Sequence, residues 1–168
     1  QAYALNRHIR SMGHDAKTID FRTYRVAESY KLFRPLESKM DLARNLQSLL
    51  FAGKLRKRKA RFDRFLAQKV PMTDAAWYSN EELQSAALDF NTYITGSDQV
   101  WNTHCLNYDD AFILAFARGC GDRISYAASL GADSIHPDMQ DRFRRELADY
   151  KAISVREEDA VDIIAPLA

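Results

Sequence analysis

Residues 96–102 read Gly96-Ser97-Asp98-Gln99-Val100-Trp101-Asn102 and follow the run Asn91-Thr92-Tyr93-Ile94-Thr95. This junction decides the fold class. A β-branched and aromatic run that ends in glycine and then turns polar reads as the carboxyl end of a buried strand. In open α/β sheets ligands bind outside that end of the strands. Glycine permits a sharp turn, and the hydroxyl, carboxylate and amides behind it can converge on a ligand instead of filling a core. The plain alternative is a polar turn in which Asp98 caps a short helix and Trp101 closes the core, since turns rich in Gly, Ser, Asp and Asn are common.

Working outward, Ile124–Ala128 and Ala152–Val155 read as two further buried strands, and Ala111–Phe116 stays open between strand and helix. Pro137 opens a helix to about Tyr150, and a last helix runs from Arg156 to Ala165, ended by Pro166. Upstream, Ala2, Leu5, Ile9 and Met12 share one helical face with Gly13 just past its end, and Lys17–Phe21 follows as a short strand. A long helical region spans Ser38 to Val70, capped by Ser38 with Asp41 in its first turn. Its apolar stripes are Leu42, Leu46, Leu49 and then Phe62, Phe65, Leu66, with Gly53 between them predicting a kink or break. Ser79 caps a short helix over Glu81–Leu88, and Glu82 completes a capping box. Strands alternating with helices predict an α/β fold: a Rossmann-like, mostly parallel sheet with helices on both faces.

A chain of 168 residues suits one domain with a real core. Its net charge of +1 argues against a surface given over to nucleic acid. No apolar run is long enough to span a bilayer, and no secretory signal is visible. Cys105 and Cys120 form no disulfide or metal framework and read as reduced thiols of a cytoplasmic protein. His104, Cys105, Asp109 and Asp110 match no zinc spacing, so no metal is expected; they read as a polar loop in which His104 can hydrogen-bond substrate or act as acid/base. Gly119-Cys120-Gly121 precedes a strand and lacks a third glycine, so it is a turn, not a dinucleotide loop. Small residues Ser125, Ala127 and Ser129 fit either close ligand approach or tight packing. Arg156, ahead of Glu157, Glu158 and Asp159, reads first as an ion-pair partner at a helix start. The basic run Lys54–Arg61 is a solvated helix face or a contact for an anionic membrane. It has no aromatic stacking platform, so no nucleic-acid partner is expected.

The stretch Gly96–Asn102 also resembles the central motif of the polysaccharide pyruvyl transferase family. Three more segments agree with it in order. Gln1-Ala2-Tyr3-Ala4-Leu5 resembles the family's first helix, Ile124–Gly131 its next strand and loop, and Ala152-Ile153-Ser154-Val155-Arg156-Glu157 the strand-to-helix junction beyond. Together they span most of the chain apart from about Arg22 to Trp77. The resemblance implies that residues 1–168 are the amino-terminal α/β domain of a two-domain, glycosyltransferase-B-like enzyme, with a helical insertion at about 38–70. The family's first strand and carboxyl-terminal domain would then lie outside this sequence.

The same resemblance implies transfer of pyruvate as a ketal from phosphoenolpyruvate, the donor substrate, to hydroxyls of a cell-surface glycan or its precursor, with no cofactor. The partners it implies are a glycan or lipid-linked saccharide acceptor and phosphoenolpyruvate. It adds peripheral contact of Lys54–Arg61 with the inner face of the membrane and a cytoplasmic location. By motif match Asp98 is the catalytic candidate, orienting or deprotonating an acceptor hydroxyl on one wall of an inter-domain cleft. Gly96, Ser97, Gln99, Trp101 and Asn102, with Ser129 and Gly131, are the substrate-binding candidates, Trp101 by stacking on a sugar ring. Donor-holding Arg and His residues are expected in the other domain. The competing reading is a non-catalytic Rossmann-like module that binds a nucleotide, sugar or anionic membrane surface.

Overall fold

A computed structural model of the chain describes residues 1–24, 39–106 and 108–168, and leaves out the side chains of residues 39 and 41–50. The chain divides into two compact units, Tyr3–Ala76 and Trp77–Ala168 with Gln1–Ala2.

The first unit is built from helix α1 (Ala2–Ser11), strand β1 (Thr18–Phe21), helix α2 (Lys39–Lys69) and strand β2 (Met72–Trp77). The expected apolar face of α1 is only partly covered. Leu5 and Ile9 are half-buried and Met12 is exposed, whereas Asn6 is buried. The Asn6 Nδ2 donates to the Ala16 carbonyl and to Thr18 Oγ1, both at 3.3 Å, which ties α1 to β1. Strand β1 pairs with β2. The Thr18 N–H donates to Pro71 O at 2.7 Å and the Asp20 N–H to Thr73 Oγ1 at 3.0 Å.

Helix α2 corrects one expectation: it runs unbroken through Gly53. One helical glycine costs about 1 kcal/mol relative to alanine, too little to interrupt a helix this long. The Ser38 cap and the Leu42, Leu46, Leu49 stripe lie outside the described residues and side chains. The basic run is helical and exposed apart from half-buried Leu55. Phe62 and Phe65 also remain at the surface, Phe65 packing edge-on against Tyr3 at 5.3 Å.

The second unit holds helix α3 (Asn80–Ser85), strands β3 (Thr92–Gly96), β4 (Asp122–Tyr126) and β5 (Tyr150–Ala152), and helices α4 (Gln140–Leu147) and α5 (Asp159–Ile164). Its sheet is parallel in the order β3-β4-β5, with Ile94 beside Ile124 and Gly96 beside Tyr126. The α/β class and parallel sheet therefore stand. The strand limits do not: β4 and β5 both begin two residues earlier than their apolar runs, and beyond them only the bridge Ala128–Val155 continues the pairing. Nor is β5 buried, since Lys151 and Ala152 are exposed at the sheet edge. Residues 111–116 are neither strand nor α-helix but two successive 3-10 turns joined at Leu114.

Helices α3 and α5 are shorter than expected, and α3 is capped differently at its second bond. Ser79 Oγ accepts from the Glu82 N–H at 3.3 Å, while Glu82 Oε2 accepts from Tyr78, one residue before the cap, at 2.7 Å. Trp101, Ile113, Leu130, Phe143, Leu147 and Ile164 form the centre of the core. On β4, Arg123 is 1% exposed. Its guanidinium donates to Glu146 Oε2 at 3.1 Å, to the Glu146 carbonyl at 2.8 Å and to the Leu114 carbonyl at 3.3 Å, and lies over the Tyr150 ring. A buried charge needs this degree of pairing. Here it fastens α4 to the sheet.

Candidate functional site

Three loops leave the carboxyl ends of β3, β4 and β5 and lock together through backbone bonds. The Ser129 N–H donates to Asp98 O at 3.0 Å, and the Trp101 N–H donates back to Ser129 O at 3.1 Å. The Arg156 N–H donates to Ala128 O at 3.0 Å, which brings in the third loop. Gly96 (φ 123°) makes the first junction possible, because a side chain there would run into the Tyr126 carbonyl on the neighbouring strand. Gly131 (φ 57°) serves the second through its left-handed backbone, and a Cβ there would also stand 2.6 Å from Gln99 Cδ and 3.0 Å from Asn102 Nδ2, side-chain ends that would have to move. The motif thus carries two glycine-dependent contacts that fold its loops against each other.

On this frame Asp98 projects into solvent, its side chain 71% exposed. No helix follows it, so it is not a helix cap; Oδ1 accepts from the Gln99 N–H at 2.9 Å. Arg156 Nη2 approaches Oδ1 to 4.0 Å, and Oδ2 is left without a hydrogen bond among the described residues. Ser97 and Asn102 are half-buried and Gln99 is exposed. Asn102 Oδ1 accepts from the His104 N–H at 3.1 Å.

Ser129 is 1% exposed and already engaged: its Oγ donates to Glu157 Oε1 at 2.7 Å and accepts from the Gly131 N–H at 3.2 Å. Its part is to hold Glu157 and the Gly131 turn. Ser125 is likewise spent on packing, bonded through Oγ to the backbone of Ser154.

Trp101 corrects the sequence expectation. It is fully buried, donates from Nε1 to the Phe112 carbonyl at 3.2 Å, and meets Phe143 and Tyr150 edge-on. Both ring faces are inside the core, so it has no surface to offer a sugar. An indole in a polar motif reads equally well as ligand platform or loop anchor, and packing decides for the anchor.

Arg156 and Glu157, which the sequence reads first as ion-pair partners at a helix start, both reach the site in other roles. Arg156 does not pair with Glu157, Glu158 or Asp159; its only ion pair among the described residues is with Asp98. Glu157 precedes α5 and joins Ser129. The available signal was position, since both follow the last strand at the ligand-binding end of the sheet. A depression of about 510 Å³ opens beside them, lined by Gly131, Asp133, Glu157 and Asp159 among others. Its carboxylates would repel a phosphate and suit hydroxyl donors. His104 and His136, remote in sequence, stand 5.6 Å apart between ring centroids. Among the described residues, however, no three His, Cys, Asp or Glu side chains gather as metal ligands.

A family profile described as polysaccharide pyruvyl transferase matches residues 1–165. The chain belongs to the polysaccharide pyruvyl transferase family. Membership makes it a transferase-family protein of polysaccharide biosynthesis and implies a polysaccharide acceptor. No curated protein and no solved structure gives a significant match. Among the described residues no helix is long and apolar enough to cross a membrane.

Proposed function

We propose that the loops at the carboxyl ends of β3, β4 and β5 form the acceptor-side wall of an enzyme that moves pyruvate, as a cyclic ketal, from phosphoenolpyruvate to hydroxyls of a cell-surface glycan or its precursor. The observation that carries this reading is Asp98: a solvent-facing carboxylate with an unoccupied oxygen, held by backbone bonds in a glycine-dependent turn of the family motif. The reaction needs protonation of the donor's methylene carbon, addition of one sugar hydroxyl to the resulting cationic centre, and displacement of inorganic phosphate by a second hydroxyl. Each hydroxyl must lose a proton, and a carboxylate within hydrogen-bond reach serves as the base. Asp98 takes that role, with Arg156 Nη2 4.0 Å from its Oδ1. Gly96, Ser97, Gln99, Asn102 and Gly131 shape the wall.

Holding the donor's carboxylate and phosphate calls for several cations, best supplied as bidentate arginine forks. Asp98, Glu157, Asp133 and Asp159 give this wall the opposite sign, with Arg156 as its cation. We assign the donor-holding groups, as the family resemblance implies, to a second α/β domain in a glycosyltransferase-B-like arrangement, with no further cofactor. The setting we propose is the cytoplasm, with Lys54–Arg61 on α2 touching an anionic membrane that carries lipid-linked acceptors.

Phosphate release from phosphoenolpyruvate tests the activity. The complete protein should release phosphate only when a glycan acceptor is added, and the 168-residue chain alone should not. Acceptor-independent release, or none with any glycan, would count against transfer. Vesicle co-sedimentation tests the membrane contact. Basic side chains near such a surface contribute about 1 kcal/mol each, so replacing Arg56, Lys57, Arg58 and Lys59 by glutamine should abolish binding to anionic vesicles.

A further inference from the structure

A second depression, of about 430 Å³, lies where the amino ends of α3 and α4 meet the segment after the signature loop. Three buried polar atoms in residues that line it have no hydrogen-bond partner among the described residues: Asn80 Oδ1, Tyr108 Oη and Arg142 Nε. Asn80 is only 7% exposed. Arg142 Nε stands 3.7 Å from Glu146 Oε1, beyond hydrogen-bond range. Leaving such groups unmet costs about 1–3 kcal/mol each, and native proteins keep few of them. Glu81, Asp109, Asp110 and Asp138 complete the polar wall. Asp109 Oδ1 accepts from the Ala111 N–H at 2.9 Å and Asp110 Oδ2 meets Arg142 Nη2 at 2.6 Å, leaving further lone pairs on both carboxylates.

The mixture of orphan groups selects the ligand class. Asn80 Oδ1 is an acceptor, Arg142 Nε a donor, and Tyr108 Oη both. A free anion would be repelled by the carboxylates. A metal ion or ammonium would satisfy the acceptors and leave the Arg142 donor unmet. A hydroxyl donates and accepts at one atom, so neighbouring hydroxyls on a ring suit this mixed set: they donate to the carboxylates and, once small side-chain rotations open the three enclosed atoms to the depression, answer those as well. Tyr108 and Met139, both half-buried, add apolar surface for the C–H face of a pyranose. The volume falls within the range of about 300–1,000 Å³ typical of small-molecule sites.

We propose that this depression is a saccharide subsite, holding a sugar unit of the acceptor chain away from the reacting hydroxyl. It rests on the saccharide-acceptor reading above and extends it to a place outside the family motif. The two places are joined through the chain: Thr103, directly after Asn102, accepts from the His136 N–H at 2.8 Å, and His136 Nδ1 accepts from the N–H of Asp138, which lines the depression. A polymer lying along this path contacts the protein at two points. Burial already holds the Asp109 and Asp110 carboxyls above their ordinary range, and donated hydroxyls would stabilise their charged forms.

Amide chemical shifts of the isotope-labelled chain, titrated with methyl β-D-glucopyranoside and methyl β-D-galactopyranoside, test the proposal. Spermidine and Mg²⁺ at constant ionic strength serve as controls. At least one glycoside should shift residues 80, 108–110 and 139–142 saturably. Tyr108→Phe and Asn80→Ala should each weaken that binding about fivefold, the equivalent of one hydrogen bond, with circular dichroism unchanged. Shifts confined to the Gly96–Asn102 and Ser129–Gly131 loops would overturn the subsite and leave the acceptor reading standing. No shift with either glycoside would count against both, and a response to spermidine or Mg²⁺ alone would make the depression a cation site.

Discussion

Two arginines on the same three-stranded sheet have opposite fates. Arg123, in the first half of β4, is 1% exposed and tied to Glu146 and the Leu114 carbonyl, with Asp149 at 3.4 Å. Arg156, past the carboxyl end of β5, has a side chain 37% exposed and one ion pair, 4.0 Å from an even more exposed Asp98. The residue types match, and burial separates their roles. Inside, a guanidinium must have its hydrogen bonds answered by the protein and becomes a fastener. Outside, water answers them, and the group stays available to a ligand.

The comparison breaks most visibly at Arg123. Arg123→Ala takes from buried Glu146 its hydrogen-bonded cation, leaving Arg118, Arg142 and Arg145 at 3.6–3.9 Å, and should cost up to about 3–5 kcal/mol, read as a large fall in the thermal midpoint. Replacing both partners by apolar residues, Arg123→Met with Glu146→Leu, should recover much of that loss. If the single variant melted like the parent, the fastening role would be gone.

Trp101→Phe sharpens the same contrast inside the motif. Loss of the indole N–H and some packing should cost about 1–3 kcal/mol, with the acceptor KM of the complete protein unchanged. A raised KM at unaltered stability would put the ring against sugar after all.

Arg156→Gln should give the smallest stability change, under about 1 kcal/mol, as expected of an exposed pair. Its effect belongs to activity: acceptor-dependent kcat/KM should fall about fivefold to thirtyfold, equivalent to one or two kcal/mol. Unchanged kinetics would leave Arg156 a bystander.

The strands and the ligand-facing loop are legible in the sequence, the contrast between the two arginines is not, and the failures have physical causes. The runs Thr92–Thr95 and Ile124–Ala128 announce strands because β-branched and aromatic residues fit a pleated, half-buried surface. The polar turn at Gly96 announces a ligand-facing loop for the reasons of topology given above. Arg123 is hidden because the apolar run starts the strand at Ile124, and a single charge ahead of it carries no local mark of burial. Its partner, Glu146, is 23 residues away, and no local pattern links them. Strand β2 was missed because Asp74 and Ala75 are exposed and break the alternation. Trp101 misled because an aromatic in a polar motif carries no mark of which way it faces.

The central claim is that Asp98 acts on the acceptor from an exposed position the fold does not depend on. Asp98→Asn in the complete protein keeps size and one acceptor oxygen while removing the charge. Phosphate release from phosphoenolpyruvate with acceptor present, measured beside thermal denaturation, reads both halves of the claim. A base contributes about 10²–10⁴-fold in rate, so turnover should fall by that order with the melting temperature unchanged. Near-parental turnover, or a collapse in stability, would return Asp98 to a purely structural role in its turn.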